Sequence, residues 1–322
     1  MRAAVYREFG GPEVVRVEQL PDPTPGPTEV LVRVRASTVS IADYRTRSKD
    51  LPPGLGFFGP LVLGAFRPRR RVLGADFSGV VEQIGSQVTR FAPGDKVIGL
   101  PDGNVGGHAE LLVVSEGATI AHAPTTVPLD DAASLVFGGI TMAKFFGLAS
   151  PAGKRVLVNG ASGATGTAAV QLAVAMGATE VTGVSSAGNH ALVRSLGATD
   201  MIDYADVDFT STGRQWDIIV DCVGNAPYRR VAGSVAPAGA VLLVVGSLRS
   251  MLTARRDSRR LGGVVAMLTT ASTASDMKWL VELADAGRFV PVIDRRYTLD
   301  EIVEAHRYVG EFRKRGALLL TF

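Results

Sequence analysis

The chain has 322 residues, 46% of them hydrophobic and 20% charged, with a formal net charge of +3, which suits a globular protein of about two domains with sizeable cores. The lone Cys222 excludes a disulfide framework and any cysteine-based zinc site, and no apolar run looks long enough to cross a membrane. The charge is spread along the chain, with its densest cluster at Arg67, Arg69, Arg70 and Arg71, and no nucleic-acid module accompanies it.

Met1 leads straight into a strand, RAAVY, with nothing resembling a signal peptide, so a cytoplasmic protein is expected. The first hundred residues read as β-rich. Candidate strands are Arg2 to Tyr6, Val14 to Glu18, Glu29 to Arg35, Phe77 to Ile84, Lys96 to Gly99 and Ala109 to Val114, punctuated by PDPTPGPTE and APGDK. The run EVLVRVR alternates apolar and charged residues as a half-exposed antiparallel strand does. A small barrel is expected. Between these strands lies LPPGLGFFGPLVLGAFRPRRR, Leu51 to Arg71, apolar, aromatic and closing on the basic cluster. It reads as a loop or short helix packed on its own domain or a partner subunit, as an apolar wall over a substrate, or as a peripheral membrane contact.

Near Pro124 the composition changes, and Asp130 to Ala149 is helical in character. Then comes RVLVNGASGATGTAAVQLAVAMG, Arg155 to Gly177. Val156-Leu157-Val158 reads as a buried parallel strand, Gly160, Gly163 and Gly166 as a tight turn, and Ala164 to Met176 as a helix. Strand, glycine turn and helix in this order form a dinucleotide's phosphate-binding corner, with Ser162, Ala164 and Thr165 inside it. The next strand, Glu180 to Val184, is followed by Ser185, Ser186 and Asn189 where an acid would grip the ribose of NAD. With no carboxylate in that stretch and hydroxyl and amide donors present, the cofactor expected is NADP(H), although a neighbouring lysine or arginine is missing.

Asn189 to Leu196 reads as a helix capped by Gly197. MIDY, Ile218 to Asp221 and Ala240 to Val245 read as further buried strands, with a helix between the last two. Strands alternating with helices imply a doubly wound parallel sheet, ending near Ala266. The tail alternates again, with a helix from Asp276 to Ala286, VPVI, a helix from Leu299 to Val309 and a strand from Ala317 to Thr321. It either extends the nucleotide sheet or returns to the first domain.

Several segments in order resemble one family. RAAVYREFGGPEVVRVEQLPDPTPGPTEVLVRVRAS, LGADFSGVVEQIGSQVTRFAPGDKVIGL, VLVNGASGATGTAAVQLAVAMGA, SLGATDMIDY and FVPVIDRRYTLDEIVEAHRYV are similar to the zinc-independent quinone oxidoreductase-like branch of the medium-chain dehydrogenase/reductase superfamily. The resemblance covers essentially the whole chain. It implies a GroES-like β-barrel domain (1–123 and 267–322), a doubly wound Rossmann domain (124–266) inserted into it, and an active site in the cleft. It also implies a homodimer.

Zinc-dependent relatives supply a Cys and a His-Glu pair; here Ser40 and Ala75-Asp76 stand at those positions, and the four His lack metal-ligand spacing, so no metal is expected. The resemblance implies hydride transfer from NADPH to quinones or other α,β-unsaturated carbonyls, where positioning and a hydrogen bond to the acceptor oxygen suffice. Ser40, Asp43 and Tyr44 are the candidate catalytic residues. Asp43 reads equally as an acceptor for loop N–H groups, and Tyr44 as a packed ring of the barrel wall. Thr141, Tyr204, Val223-Gly224 and Gly246-Ser247 are carried over as cofactor-binding positions, the last two pairs at carboxyl ends of parallel strands. Cys222 reads as a packed strand-end residue. An enoyl reductase tailoring a specialised metabolite, and a cofactor-binding regulatory protein with little catalysis, are the alternatives.

Overall fold

The computed structural model describes residues 1–101, 103, 105–267 and 269–322. Its first unit comprises Met1–Leu51, Gly56–Phe137 and Ser272–Phe322. β1 (Arg2–Tyr6) pairs antiparallel with β2 (Val15–Gln19). In β3 (Glu29–Thr38) the alternation takes effect: Val30, Val32 and Val34 are buried while Arg33 and Arg35 face water. α1 (Ile41–Ser48) follows, and the segment after it forms two short turns, the second being α2 (Gly59–Val62). β4 (Phe77–Ile84), β5 (Lys96–Gly99), β6 (Leu111–Ser115) and β7 (Ile120–His122) complete an antiparallel sheet in which β3 pairs with both β4 and β6. β6 starts later than expected because Ala109 makes only an isolated bridge to Ala3.

The expected helix from Asp130 to Ala149 is two helices, α3 (Leu129–Ala132) and α4 (Val136–Leu148), joined by a tighter turn. Together they need one correction to the membrane-length reading: Leu129–Leu148, mean hydropathy 1.2, is long and apolar enough to cross a bilayer. With 56% of that window buried inside the protein, it has the character of a core helix.

The second unit comprises Pro52–Leu55 and Gly138–Ala271. It contains β8 (Arg155–Asn159), α5 (Ala164–Ala175), β9 (Glu180–Ser185), α6 (His190–Ser195), β10 (Asp200–Asp203), β11 (Trp216–Asp221), α7 (Tyr228–Val231), β12 (Val235–Leu243), α8 (Leu248–Leu261) and β13 (Val264–Ala266). These six strands form one parallel sheet in the order β10-β9-β8-β11-β12-β13. The order reverses between β8 and β11, so the carboxyl ends of those strands open the crevice where such sheets take ligands. Their apolar runs are buried on both faces, with Leu157, Ile219 and Val241 fully enclosed and the Trp216 indole N–H donating to Thr182 Oγ1 at 3.0 Å. The helix expected between β11 and β12 shrinks to the single turn of α7. Gly224, Pro227 and Gly233 interrupt the connection, and β12 starts earlier, at Val235.

The tail adds α9 (Ala274–Asp285), β14 (Ile293–Thr298), α10 (Ile302–Val309) and β15 (Ala317–Thr321). It returns to the first unit: β15 pairs antiparallel with β3, Leu319 opposite Thr38, and parallel with β14. Ile302, Ala305 and Val309 on one face of α10 bury against Leu318 and Leu320 of β15.

Candidate cofactor and catalytic site

The three glycines after β8 have three different physical reasons. Gly160 sits at φ +82°, the left-handed region, and a Cβ there would come within 2.8 Å of Val223. At Gly166 a Cβ would fall 2.0 Å from the Gly160 carbonyl oxygen, so α5 packs directly on the turn. Gly163 is different: a Cβ would meet nothing nearer than 3.7 Å. It is the N-cap of α5 and makes no side-chain bond to the first-turn N–H groups. That leaves the helix start, with the partly exposed Ser162, Ala164 and Thr165, shaped for an anion. Across the turn, α4 comes close enough that a Cβ on Gly138 would touch the Ala164 carbonyl at 2.8 Å, and Thr141 lies half-buried one turn further along. This cradle fits a dinucleotide pyrophosphate.

β9 runs one residue further than expected, to Ser185, and the other two residues nominated there, Ser186 and Asn189, join this turn. The Asn189 amide donates to Ser162 Oγ at 3.1 Å and to Ser186 Oγ at 3.2 Å, linking the glycine turn to the loop beyond β9. Ser185 is buried, and its hydroxyl donates to the Ser186 carbonyl at 3.2 Å. Tyr204 stands at the end of β10, 66% exposed, its N–H on the Ser185 carbonyl. The stretch after β9 holds no carboxylate, as expected, but one stands beside it on the neighbouring strand. Asp203, opposite Ser185 in the register of β10 and β9, accepts the Ala187 N–H at 2.8 Å. This carboxylate comes from β10; its signal in the sequence was the D of MIDY, one residue before Tyr204.

A second residue that sequence reasoning left unused organises the end of β11. The buried Asp221 carboxylate accepts the N–H groups of Val223 and Gly224 on Oδ1, both at 3.0 Å, and that of Ala226 on Oδ2 at 2.8 Å. Asn159, ending β8, donates to the same Oδ1 at 2.9 Å and to Asn225 at 2.7 Å. Four donors on one buried carboxylate hold the Val223–Gly224 loop beside Gly160. Gly224 sits at φ +94°, and a Cβ there would come within 2.7 Å of Val245, so this loop lies beside the end of β12. There Gly246 is buried and Ser247 caps α8 by accepting the Ser250 N–H at 3.2 Å. Burial, with Asp221 adjacent, pushes the Cys222 thiol far up, which removes it as a nucleophile.

In the first unit Ser40 is the N-cap of α1. Its hydroxyl donates to Asp43 Oδ2 at 2.6 Å, and its N–H donates to the same oxygen at 2.8 Å. The other oxygen of Asp43 accepts the Gly74 N–H at 2.9 Å, so this carboxylate holds two loops together. The Tyr44 hydroxyl donates to Asp50 at 3.1 Å and its ring meets Phe312 edge-on at 5.1 Å; burial, with Asp50, raises its pKa. Fully buried Asp76 accepts from the Thr38 N–H at 2.6 Å and the Thr38 hydroxyl at 2.5 Å, and burial pushes its carboxyl up to about 7. Lys314, pushed down to about 8 by burial, donates to the Gly316 carbonyl at 2.7 Å. Among the described residues no three His, Cys, Asp or Glu side chains cluster to hold a metal.

Comparison with known proteins covers both units. The family model for the alcohol dehydrogenase GroES-like domain matches residues 26–125, and that for zinc-binding dehydrogenase matches residues 196–320. The chain is 30% identical over 325 residues to the chloroplastic quinone-oxidoreductase QR1 of Triphysaria versicolor, spanning 95% of this chain and 93% of that one. It is 32% identical over 370 residues to the mitochondrial NAD(P)H oxidoreductase RTN4IP1 of Mus musculus, spanning 100% and 89%. The solved quinone oxidoreductase from Coxiella burnetii is similar with a TM-score of 0.87 and 27% identity, over 100% of this chain and 99% of that chain.

Proposed function

The chain belongs to the quinone oxidoreductase-like branch of the medium-chain dehydrogenase/reductase superfamily, and we propose that it transfers hydride from NADPH, without a metal, to quinones or other α,β-unsaturated carbonyls. The observation that carries the cofactor half is the uncapped start of α5 at Gly163, open to an anion and tied through Ser162 to Asn189 and Ser186. The names of the relatives support the acceptor class, and the positions of Ser40 and Ala75 support chemistry without zinc.

Bound NADPH would supply a hydride; a quinone would be left as hydroquinone with its proton from water on oxygen, and an enone would take hydride at the β-carbon with the proton ending on the α-carbon, leaving oxidised dinucleotide and hydroxide. The chain's own residues hold and orient. Ser40 has its hydroxyl committed to Asp43, so its first role is to cap α1 and set the loop that carries it. Tyr44, with its phenol kept protonated, can donate a hydrogen bond but is a poor base at neutral pH. Positioning therefore outweighs acid–base work in this reading.

The test is stopped-flow oxidation of NADPH and, separately, NADH against a panel of quinones and enones. Rapid turnover with NADPH supports the proposal. Tight NADPH binding with no acceptor reduced would overturn it.

A further inference from the structure

The segment the reductase reading leaves unused is Phe57 to Arg71. Phe57 is 86% exposed, Leu61 67%, Val62 65% and Phe66 93%. Phe58 between them is exposed too; exposed apolar residues scattered singly need no explanation, but five large ones within ten residues do. The segment is built rather than unravelled: the Leu63 N–H bonds the Gly59 carbonyl at 2.8 Å, and the Arg69 N–H bonds the Leu63 carbonyl at 2.9 Å.

Cations crowd the same place. Arg67, Arg69, Arg70 and Arg71 are all exposed. Arg7 and Arg16, just beyond β1 and within β2, line a common hollow with Phe66, Arg67 and Arg71. Lys49 reaches the Ala65 carbonyl. Against these stand Glu8 and Glu18, the latter already paired with Arg7 at 2.5 Å. The surplus of positive charge beside bare aromatic and aliphatic side chains selects the occupant. A second copy docked face to face would set this arginine cluster against its own image. A small apolar substrate would leave the arginines without a counter-charge. A surface offering phosphates above hydrocarbon matches both features.

We propose that this face is a peripheral membrane contact, in which Phe57, Leu61, Val62 and Phe66 enter the headgroup–acyl boundary of an anionic bilayer while Arg67, Arg69, Arg70 and Arg71 engage its lipid phosphates. The contact stands apart from the reductase reading, although apolar quinones would partition into the same bilayer.

The experiment is co-sedimentation of the full chain with sucrose-loaded vesicles of phosphatidylcholine, alone or mixed with phosphatidylglycerol. The wild type should pellet with the mixed vesicles only, and less as salt rises. Changing Arg67, Arg69, Arg70 and Arg71 together to Gln should weaken partitioning about a thousandfold. Phe57→Ser with Phe66→Ser should weaken it about tenfold. All six side chains are exposed, so both variants should melt like the wild type. Turnover of a short water-soluble quinone without vesicles, in the same preparations, reads the reductase site separately; its absence would sink that reading and leave the vesicle result standing. The membrane proposal is overturned if the wild type stays in the supernatant, if neutral vesicles bind it equally, or if either variant pellets undiminished. It is also overturned, in favour of a contact between copies, if the serine variant lowers the sedimenting mass of the free protein.

Discussion

Asp203 and Ala187 are joined between adjacent parallel strands of the second unit: the carboxylate that ends β10 accepts the N–H that opens the turn after β9. A negative charge therefore borders Ser186 and Asn189, where a 2′-phosphate would be received. Asp203→Asn keeps an acceptor for that N–H and removes the charge. The ratio of kcat/KM for NADPH over NADH should rise about fivefold, the size of a screened charge–charge term at this range. An unchanged ratio in steady-state assays with both cofactors would remove Asp203 from cofactor choice.

Gly163 and Gly166 should separate binding from folding. Gly166→Ala forces a Cβ against the Gly160 carbonyl and should cost about 3 kcal/mol in urea unfolding. Gly163→Ala makes only an ordinary contact, 3.7 Å from the Gly160 carbonyl oxygen, so its stability should shift by less than about 0.5 kcal/mol. Its NADPH affinity, measured by fluorescence titration, should nonetheless fall about tenfold as the methyl crowds the phosphate approach.

Asp221→Ala would strand four donors around a buried void. Urea denaturation should show a loss of about 3 kcal/mol, and Asp221→Asn a smaller loss because one oxygen acceptor survives.

Ser40→Ala removes the side-chain half of the α1 cap and should lower stability by about 1 kcal/mol. If the hydroxyl serves α1 rather than a proton transfer, kcat should fall by much less than the hundredfold typical of losing a general acid. A larger drop in single-turnover rate would return Ser40 to the chemistry.

Asp76 and His306 pull stability in opposite directions with pH. The Asp76 carboxyl titrates at about 7 in the folded protein and near 3.9 unfolded, so the folded state holds an extra proton between those values. Its contribution is therefore greatest at low pH and is lost as pH rises through about 7. His306, kept neutral by burial with His108 and Arg47 nearby, destabilises instead as pH falls below about 6.5, where the unfolded imidazole charges. Comparing Asp76→Asn with wild type cancels the histidine. The variant should gain about 2 kcal/mol relative to wild type between about pH 5 and about pH 8. Parallel stability curves would contradict the buried-acid assignment.

Local hydrogen bonding and periodicity were enough to read β8, the glycine turn and α5, because strand, cap and helix there lie within a few residues of one another. The alternation of β3 was equally legible, since its two faces meet different solvents. The alternative reading of Asp43 as an acceptor for backbone N–H groups was also legible, although the capping box it forms with Ser40 emerged only in the structure. Tertiary structure decided what depended on neighbours distant in sequence. β15 lies against β3 because the apolar face of α10 packs on Leu318 and Leu320, a choice that composition left open. Asp203 reaches the turn after β9 only because β10 runs beside β9 in a register that sets it opposite Ser185. Asp221 gathers donors from its own loop and from Asn159 at the end of β8, so its role exists only once β8 and β11 are side by side.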